Sequence, residues 1–138
     1  MQPVTYLFFN SGCRDAMTRY GEIFGSTPEI MTHGTLPASE RAGMPPVPDD
    51  TVMHSALKIG EGWIYGSDDF SGNSPAMAGC NIALSLPDEA ETRRVWDALS
   101  DGAEIRMPLT ATFFAPLFGT LTDRFGIRWM ILQDNAHA

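Results

Sequence analysis

The stretch YLFFNSGCRDAMTRYGEIFG, residues 6–25, decides the fold because its hydrophobic period changes at one short turn. The aromatic and β-branched run over residues 4–9 predicts a buried strand. The polar residues 10–12 are typical of a turn. Apolar residues then recur at the helical spacing, and Gly25 supplies a C-terminal cap. The apolar positions of this predicted helix are Ala16, Met17, Tyr20, Ile23 and Phe24.

Three further strands are predicted in the first half of the chain. Residues 28–32 favour a short strand, and residues 52–59 alternate in the two-residue period of a half-buried strand. A tight hairpin at residues 60–62 leads into the paired strand over residues 63–66. Residues 34–51 contain four prolines, and this predicts a long loop that is either a functional lid or poorly ordered.

The second half repeats this plan. Residues 80–86 predict a strand, and Asp88 with Glu91 forms a capping box before a helix that ends at Gly102. Three more strands are predicted over residues 104–108, 117–122 and 127–132, the last two forming a hairpin around the turn at residues 123–126.

An internal offset relates the two halves. Shifting the chain by 76 residues places Thr5 on Asn81 and Tyr20 on Trp96. Such a duplication predicts an α+β fold of two βαβββ modules, with the helices on one face of a sheet. The other face, curved by the twist of the sheet, would form a cleft between the modules. The alternative is an unrelated α+β domain with accidental periodicity.

Composition excludes several classes of protein. The 138 residues carry 9 Lys+Arg against 17 Asp+Glu, a net charge of −8, which argues against binding to nucleic acid or to an anionic membrane surface. The apolar stretch at residues 107–122 is shorter than the roughly 20 residues that a transmembrane helix needs. No basic residue precedes the first apolar run, so a signal peptide is not expected, and we expect a cytoplasmic protein.

The two cysteines are expected to be reduced thiols. Cys80 is predicted to be a small core residue. Cys13 lies at a helix start, where a thiol pKa can be lowered, but the absence of a histidine nearby in the sequence argues against catalysis.

Four stretches resemble the PhnB-like branch of the glyoxalase/bleomycin-resistance/extradiol-dioxygenase superfamily, also called the vicinal oxygen chelate superfamily. They are residues 6–25, the MHSALKIG and WIYGSDD parts of residues 53–69, NIALSLPDEAE at residues 81–91, and FGTLTDRFGIRWMI at residues 118–131. The resemblance implies two tandem βαβββ modules that form a curved mixed sheet with a central cleft, and usually a homodimer.

The resemblance implies one domain over residues 1–138. Module one covers about 1–70 and module two about 79–134, with loops at 34–51 and 67–79. Many members of the branch carry a name related to a demethylubiquinone methyltransferase. The sequence offers no support for that activity, because no Gly-rich loop follows a strand to hold a nucleotide-like cofactor.

Metal-dependent members of the superfamily hold a divalent ion at four strand positions. The resemblance places these at Thr5 (or Tyr6), Tyr65, Asn81 and Met130. None is a histidine or a carboxylate, so we expect neither a metal nor another cofactor. A slip of one residue in the alignment does not supply ligands, since it brings in Val4, Ile64, Cys80, Ile82, Trp129 and Ile131.

His54 is the best candidate for a catalytic residue. If its strand face is the concave one, the imidazole lies beside Tyr65 and acts as a general base or polar anchor. The alternative is a structural hydrogen bond in the cleft wall or at a dimer seam. His33 and His137 have no companion at ligand spacing.

Strand alternation and the internal repeat predict which residues line the cleft. The adjacent acids 49–50 and 68–69 are expected to be solvated, and Asp123 to serve its turn. Most aromatic residues are expected in the core, and some of them line a pocket. The predicted ligand-binding residues are Thr5, Leu7, Phe9, His54, Tyr65, Asn81, Ala83 and Met130.

Three functions follow from these predictions. The first is metal-free binding of a small apolar or aromatic molecule by a homodimer, with no nucleic-acid or membrane partner. The second is a metal-dependent lyase, isomerase or dioxygenase that uses His54. The third is a dimeric interaction protein with a degenerate cleft. Whether the protein is an enzyme stays open, because a fold does not determine chemistry.

Overall fold

The computed structural model describes residues 1–135, which separate into two units, Met1–Pro75 and a second that begins at Ala76. His137 lies outside the described residues. Both units are α+β, and each contains a four-stranded mixed sheet. The α+β fold class predicted from the sequence is therefore confirmed.

The first unit has four strands in the order β1-β4-β3-β2, with β1 parallel to β4 and the other pairs antiparallel. Helix α1 covers one face, and its Met17 and Tyr20 are fully buried against the sheet together with Leu57 of β3. The elements are β1 (Thr5–Phe9), α1 (Cys13–Phe24), β2 (Glu29–Thr32), a 3-10 turn (His33–Thr35), α2 (Ala38–Arg41), β3 (Val52–Ile59) and β4 (Gly62–Asp68).

Asp68 fixes the start of α1. Its carboxylate accepts a hydrogen bond from the backbone N–H of Cys13 at 3.0 Å and another from that of Val52 at 2.8 Å. One side chain thus joins a helix start, the start of β3 and the end of β4. Asp68 is therefore a cap rather than the solvated acid that the sequence predicted. The predicted glycine cap at the other end is confirmed, because Gly25 has φ 69° and its N–H bonds the carbonyl of Gly21.

The segment over residues 34–51 contains more structure than the predicted long loop. It includes part of the 3-10 turn and all of α2. Its ends are joined by two backbone hydrogen bonds, from His33 N–H to Thr51 at 2.9 Å and from Gly34 N–H to Asp49 at 2.8 Å. The segment is therefore closed at its base like a compact surface loop.

The second unit repeats the topology, with strand order β5-β8-β7-β6 and β5 parallel to β8. Its helix packs on Trp129 and Ile131 of the sheet, both fully buried. Gly119 lets the helix approach, since a Cβ there would lie 2.7 Å from the ring of Trp96. The elements are β5 (Ile82–Leu86), α3 (Glu89–Ser100), β6 (Glu104–Thr110), β7 (Phe118–Thr122) and β8 (Arg128–Gln133).

Two predicted capping residues of this unit are confirmed. Asp88 accepts a hydrogen bond from the N–H of Glu91 at 2.8 Å and so caps α3, while the Glu91 carboxylate binds Arg94. Asp123 organises its turn by accepting from the N–H groups of Phe125 and Ile127, both at 2.9 Å.

The prediction that Cys80 is a core residue was wrong, because its side chain is exposed. The strand begins two residues later, at Ile82, so Cys80 belongs to the connection that precedes β5. Within residues 1–135, no helix has the length and apolar character needed to cross a membrane.

The connection from strand to helix differs by one residue between the units. Three residues separate β1 from α1, and two separate β5 from α3. The helices are therefore related by an offset of 76 residues, whereas β1 and β5 are related by 77. Because successive side chains of a strand point to opposite faces, this one-residue difference exchanges the two faces of β1 in any alignment that uses a single offset.

Candidate ligand-binding face

The face of the first sheet opposite α1 displays a cluster of four rings, which we call the aromatic face: Tyr6, Phe8, His54 and Tyr65. Tyr6 and Tyr65 are paired between the parallel strands β1 and β4. The ring centres of Tyr6 lie 5.2 Å from Phe8, 5.6 Å from His54 and 6.3 Å from Tyr65. His54 and Tyr65 are 5.3 Å apart in an edge-to-face arrangement. The rings therefore form one continuous surface.

Much of this face is exposed. Tyr6 is 39% and Phe8 61% exposed, while His54 and Tyr65 are half-buried. Alternation along the strands adds Met31 and Trp63 to the same side, with 49% and 40% exposure. Contiguous exposed apolar surface of this kind marks a binding surface more often than an isolated exposed side chain does.

A hydrogen bond links two rings of the aromatic face. Tyr6 Oη lies 3.1 Å from His54 Nδ1. In the neutral imidazole that carries its proton on Nε2, the phenol donates to Nδ1 and the Nε2–H group remains as a donor. This bond fixes the orientation of the imidazole, and it puts one polar group in a surface that is otherwise apolar.

The structure brings together only part of the predicted first-unit site. His54 and Tyr65 are neighbours, as predicted. Leu7 and Phe9, which were predicted to face the ligand, lie instead on the side covered by α1, where they are 5% and 4% exposed. Thr5 shares their side of β1 and lies at its exposed end. The correction follows from the single 76-residue offset, which assigned β1 to the wrong face.

Sequence reasoning left Tyr6 and Phe8 out of the ligand-binding set. Both sides of β1 are apolar, so alternation alone does not distinguish them. The phenol of Tyr6 is the signal that identifies the open side, because a tyrosine hydroxyl requires a polar partner or water and Leu7 does not.

Within the second unit, Ala83 and Met130 are partners in the β5–β8 register and share the face opposite α3. Asn81 immediately precedes β5, and its Oδ1 accepts a hydrogen bond from Arg106. The three predicted residues of this unit therefore lie near one another. Arg106 was not predicted, and no signal in the local pattern of β6 identifies it.

The donor groups at the superfamily's metal positions do not fit a divalent ion. The two candidates in β1 and β4, Tyr6 and Tyr65, supply neutral phenols, while Asn81 supplies an amide and Met130 a thioether. Zinc prefers thiolate, imidazole or carboxylate ligands, and magnesium and calcium prefer carboxylate oxygens. Among residues 1–135, no group of three or more His, Cys, Asp or Glu side chains is placed to hold an ion.

Cys13 is not an activated nucleophile. Its Sγ lies 3.5 Å from Ser55 Oγ, and that hydroxyl donates to the carbonyl of Gly66 at 2.8 Å. Burial raises the pKa of the Cys13 thiol to about 11, the charge of Asp68 acts in the same direction, and the Ser55 hydrogen bond opposes both. A thiol with this pKa stays protonated at neutral pH.

A pocket of about 410 Å³ lies elsewhere on the first unit, beside the N-terminus of α1. Asp68 and Asp69 line it, but their carboxylates already accept hydrogen bonds from Cys13, Val52, Ser71 and Ser74. The pocket wall is therefore part of the capping structure of α1. Its other lining residues include Asn10, Arg14, Pro48, Asp50 and Phe70.

Comparison with known proteins identifies relatives over nearly the whole chain. A family model described as 3-demethylubiquinone-9 3-methyltransferase matches residues 2–132. Protein YjdN from Escherichia coli (strain K12) is 30% identical over 136 residues, covering 91% of this chain and 90% of that protein. The crystal structure of PA1353 from Pseudomonas aeruginosa has 36% identity and a TM-score of 0.86, with 97% and 99% of the two chains covered.

Two more distant structures share the fold. A putative 3-demethylubiquinone-9 3-methyltransferase, PhnB protein, from Bacillus cereus has 22% identity and a TM-score of 0.78, covering 97% of this chain and 100% of that one. Fosfomycin resistance protein FosX from Mesorhizobium loti has 11% identity and a TM-score of 0.62, covering 99% and 91%. The chain therefore belongs to the 3-demethylubiquinone-9 3-methyltransferase family, within the vicinal oxygen chelate superfamily of glyoxalase-like folds.

Proposed function

We propose that this protein is a PhnB-like member of its superfamily that binds a small aromatic or apolar molecule on the aromatic face without a metal ion. The observation that carries the proposal is the contact of the four rings Tyr6, Phe8, His54 and Tyr65 on an open sheet face. Such rings offer a planar ligand several stacking partners at low entropic cost.

The polar group in the cluster supports selectivity for one part of the ligand. Because Tyr6 engages Nδ1 of His54, the opposite nitrogen of the imidazole is the group available to a ligand. A ligand oxygen would accept from Nε2–H while its apolar part covers Phe8. Small-molecule sites commonly combine a mostly apolar lining with a few fixed polar groups.

The donor set at the superfamily's metal positions favours this function over metal-dependent catalysis. Phenol, amide and thioether groups polarise a substrate only by hydrogen bonding, whereas the vicinal oxygen chemistry of the superfamily needs a Lewis acid. The family description names a methyltransferase. Within residues 1–135, the two units start as strand–turn–helix with short polar turns, and neither has the Gly-rich turn that holds a nucleotide cofactor.

Titration of the protein with 2-naphthol, followed by NMR of the aromatic side chains, tests the proposal. We expect saturable shifts at Tyr6, Phe8 and Tyr65. Phe8→Ala should weaken binding about three- to tenfold, because it removes one ring contact. Phe70→Ala is the matched control, since Phe70 is 46% exposed but lies beside the α1 pocket. Shifts centred on Phe70, or no saturable shift, would contradict the proposal.

We also propose that the protein forms a homodimer, as the resemblance implies. Light scattering coupled to gel filtration measures this directly. If Phe8→Ala dissociates the dimer and 2-naphthol does not bind the wild type, the aromatic face is a subunit interface, and the third function predicted from the sequence replaces the first.

A further inference from the structure

Two arginines of the second unit lack the carboxylate partners that other arginines have. Arg124 lies 3.4 Å from Asp101, and Arg93 and Arg94 pair with acids of their own helix. In the described part of the chain, neither Arg106 nor Arg128 lies within 4.0 Å of a carboxylate. This is unusual in a chain with 17 acidic residues against 9 basic ones.

The sheet topology brings these two arginines to one place. Thr122 of β7 pairs with Glu104 of β6 on one side and with Arg128 of β8 on the other. Arg106 follows Glu104 by two residues, at an irregularity in the β6–β7 register. Its Nη2 donates to Asn81 Oδ1 and to the carbonyl of Leu121, the latter at 3.1 Å. Asn81 therefore holds Arg106 towards the start of β8.

Both guanidinium groups have a buried N–H donor to spare. Within residues 1–135, the Nε atoms of Arg106 and Arg128 are each buried without a hydrogen-bond partner. The hydroxyl of Thr120, two residues before Thr122 on the same strand face, is in the same state. Buried donors without partners are costly, and charged ones more so.

The electrostatic environment adds to this cost. Burial, and then the nearby positive charge of Arg128, lower the pKa of Arg106, while the charge of Glu104 opposes them. Glu104 itself is exposed to solvent. An anion placed between the arginines would satisfy the spare donors and reduce the repulsion.

We propose that Arg106 and Arg128 form a site for an oxyanion, the carboxylate or phosphate group of a small molecule, with Asn81 as the residue that positions Arg106. The planar fork of a guanidinium matches the spacing of two oxygens in either group. The site belongs to the second unit and requires none of the rings of the aromatic face.

The wild-type protein suffices for the first test. The Nε–Hε signals of its arginines are followed by NMR while sodium phosphate, and separately sodium acetate, is added at constant ionic strength. We expect the signals of Arg106 and Arg128 to shift together and to saturate with at least one of the two anions, while that of Arg124 stays constant. If neither anion gives a saturable shift, or if all arginine signals move alike, the proposal is overturned.

Variants with retained charge sharpen the result. Arg128→Lys keeps the positive charge but removes the Nε–H and the fork, and it should weaken anion binding about tenfold, the value of one charge-assisted hydrogen bond. Arg124→Lys is the matched control and should bind like the wild type. Unchanged affinity in Arg128→Lys would show that net charge alone attracts the anion, and it would overturn the site. Because 2-naphthol carries no oxyanion, failure of its binding leaves this result unaffected.

Discussion

A few buried polar side chains determine the local geometry of this protein. Asp123 is 6% exposed, and besides two backbone N–H groups it accepts the indole N–H of Trp129 at 2.8 Å. A single carboxylate therefore joins the β7–β8 turn to a fully buried core residue. Buried acceptors with several donors are costly to remove, because each donor then loses its partner.

Asp123→Asn should destabilise the protein by about 2–3 kcal/mol, because the amide has one acceptor oxygen and turns an N–H donor towards other donors. Urea denaturation measures this change. Asp101→Asn is the control, since Asp101 is an exposed partner of Arg124 and should change stability by less than about 0.5 kcal/mol. Equal effects of the two substitutions would contradict the role assigned to Asp123.

Cys13 makes stability depend on alkaline pH. Its folded pKa is raised to about 11, above the ordinary value of 9.0. Its contribution is therefore complete below pH 9 and is lost as the pH rises towards 11, because the unfolded state releases the thiol proton first. The loss amounts to at most about 2–3 kcal/mol, from roughly 1.4 kcal/mol per pH unit.

Urea denaturation of wild type and Cys13→Ala between pH 8 and pH 11 isolates this term. We expect the stability difference between the two proteins to shrink as the pH rises. A difference that is constant across this range would show that the Cys13 thiolate is tolerated in the folded state.

At the scale of elements, close helix–sheet contact determines how each unit packs. In the second unit, the ring of Trp96 on α3 occupies the space above Gly119 on β7. A side chain at position 119 would also come within 3.0 Å of the backbone of Leu109 on β6. The contact therefore restricts the distance between α3 and two strands at once.

Gly119→Ala should destabilise the protein by about 1–3 kcal/mol, since the added methyl group overlaps the ring of Trp96 and neither the ring nor β6 can move freely. Gly43→Ala is the matched control, because a Cβ at Gly43 has nothing within 4 Å. Thermal denaturation compares the two variants, and a melting temperature for Gly119→Ala equal to that of the wild type would contradict this packing.

The elements themselves could be predicted from the sequence because periodicity and capping residues are local signals. Gly25, Asp88 and Asp123 each have the role that was expected. The faces of β1 could not be predicted, because the extra residue between β1 and α1 is visible only when strand and helix bounds are known. Contacts such as that of Arg106 with Asn81 depend on tertiary structure and leave no local pattern.

At the scale of the whole molecule, two units of the same topology carry different surfaces. The first presents the aromatic face, with His54 as its polar group, and the second presents paired arginines beside Asn81. Duplication fixed the topology of both units, while substitution of individual strand positions gave each its own chemistry. The proposed function depends on the first surface and on a donor set that does not fit a divalent ion.

Calorimetric titration of 2-naphthol into protein treated with EDTA and desalted, repeated after addition of Zn²⁺, Mn²⁺, Ni²⁺ or Fe²⁺, tests the central claim most directly. The proposed function predicts binding to the metal-free protein, with a dissociation constant that changes less than about twofold on addition of any of the ions. Binding that appears only after a metal ion is added would contradict it.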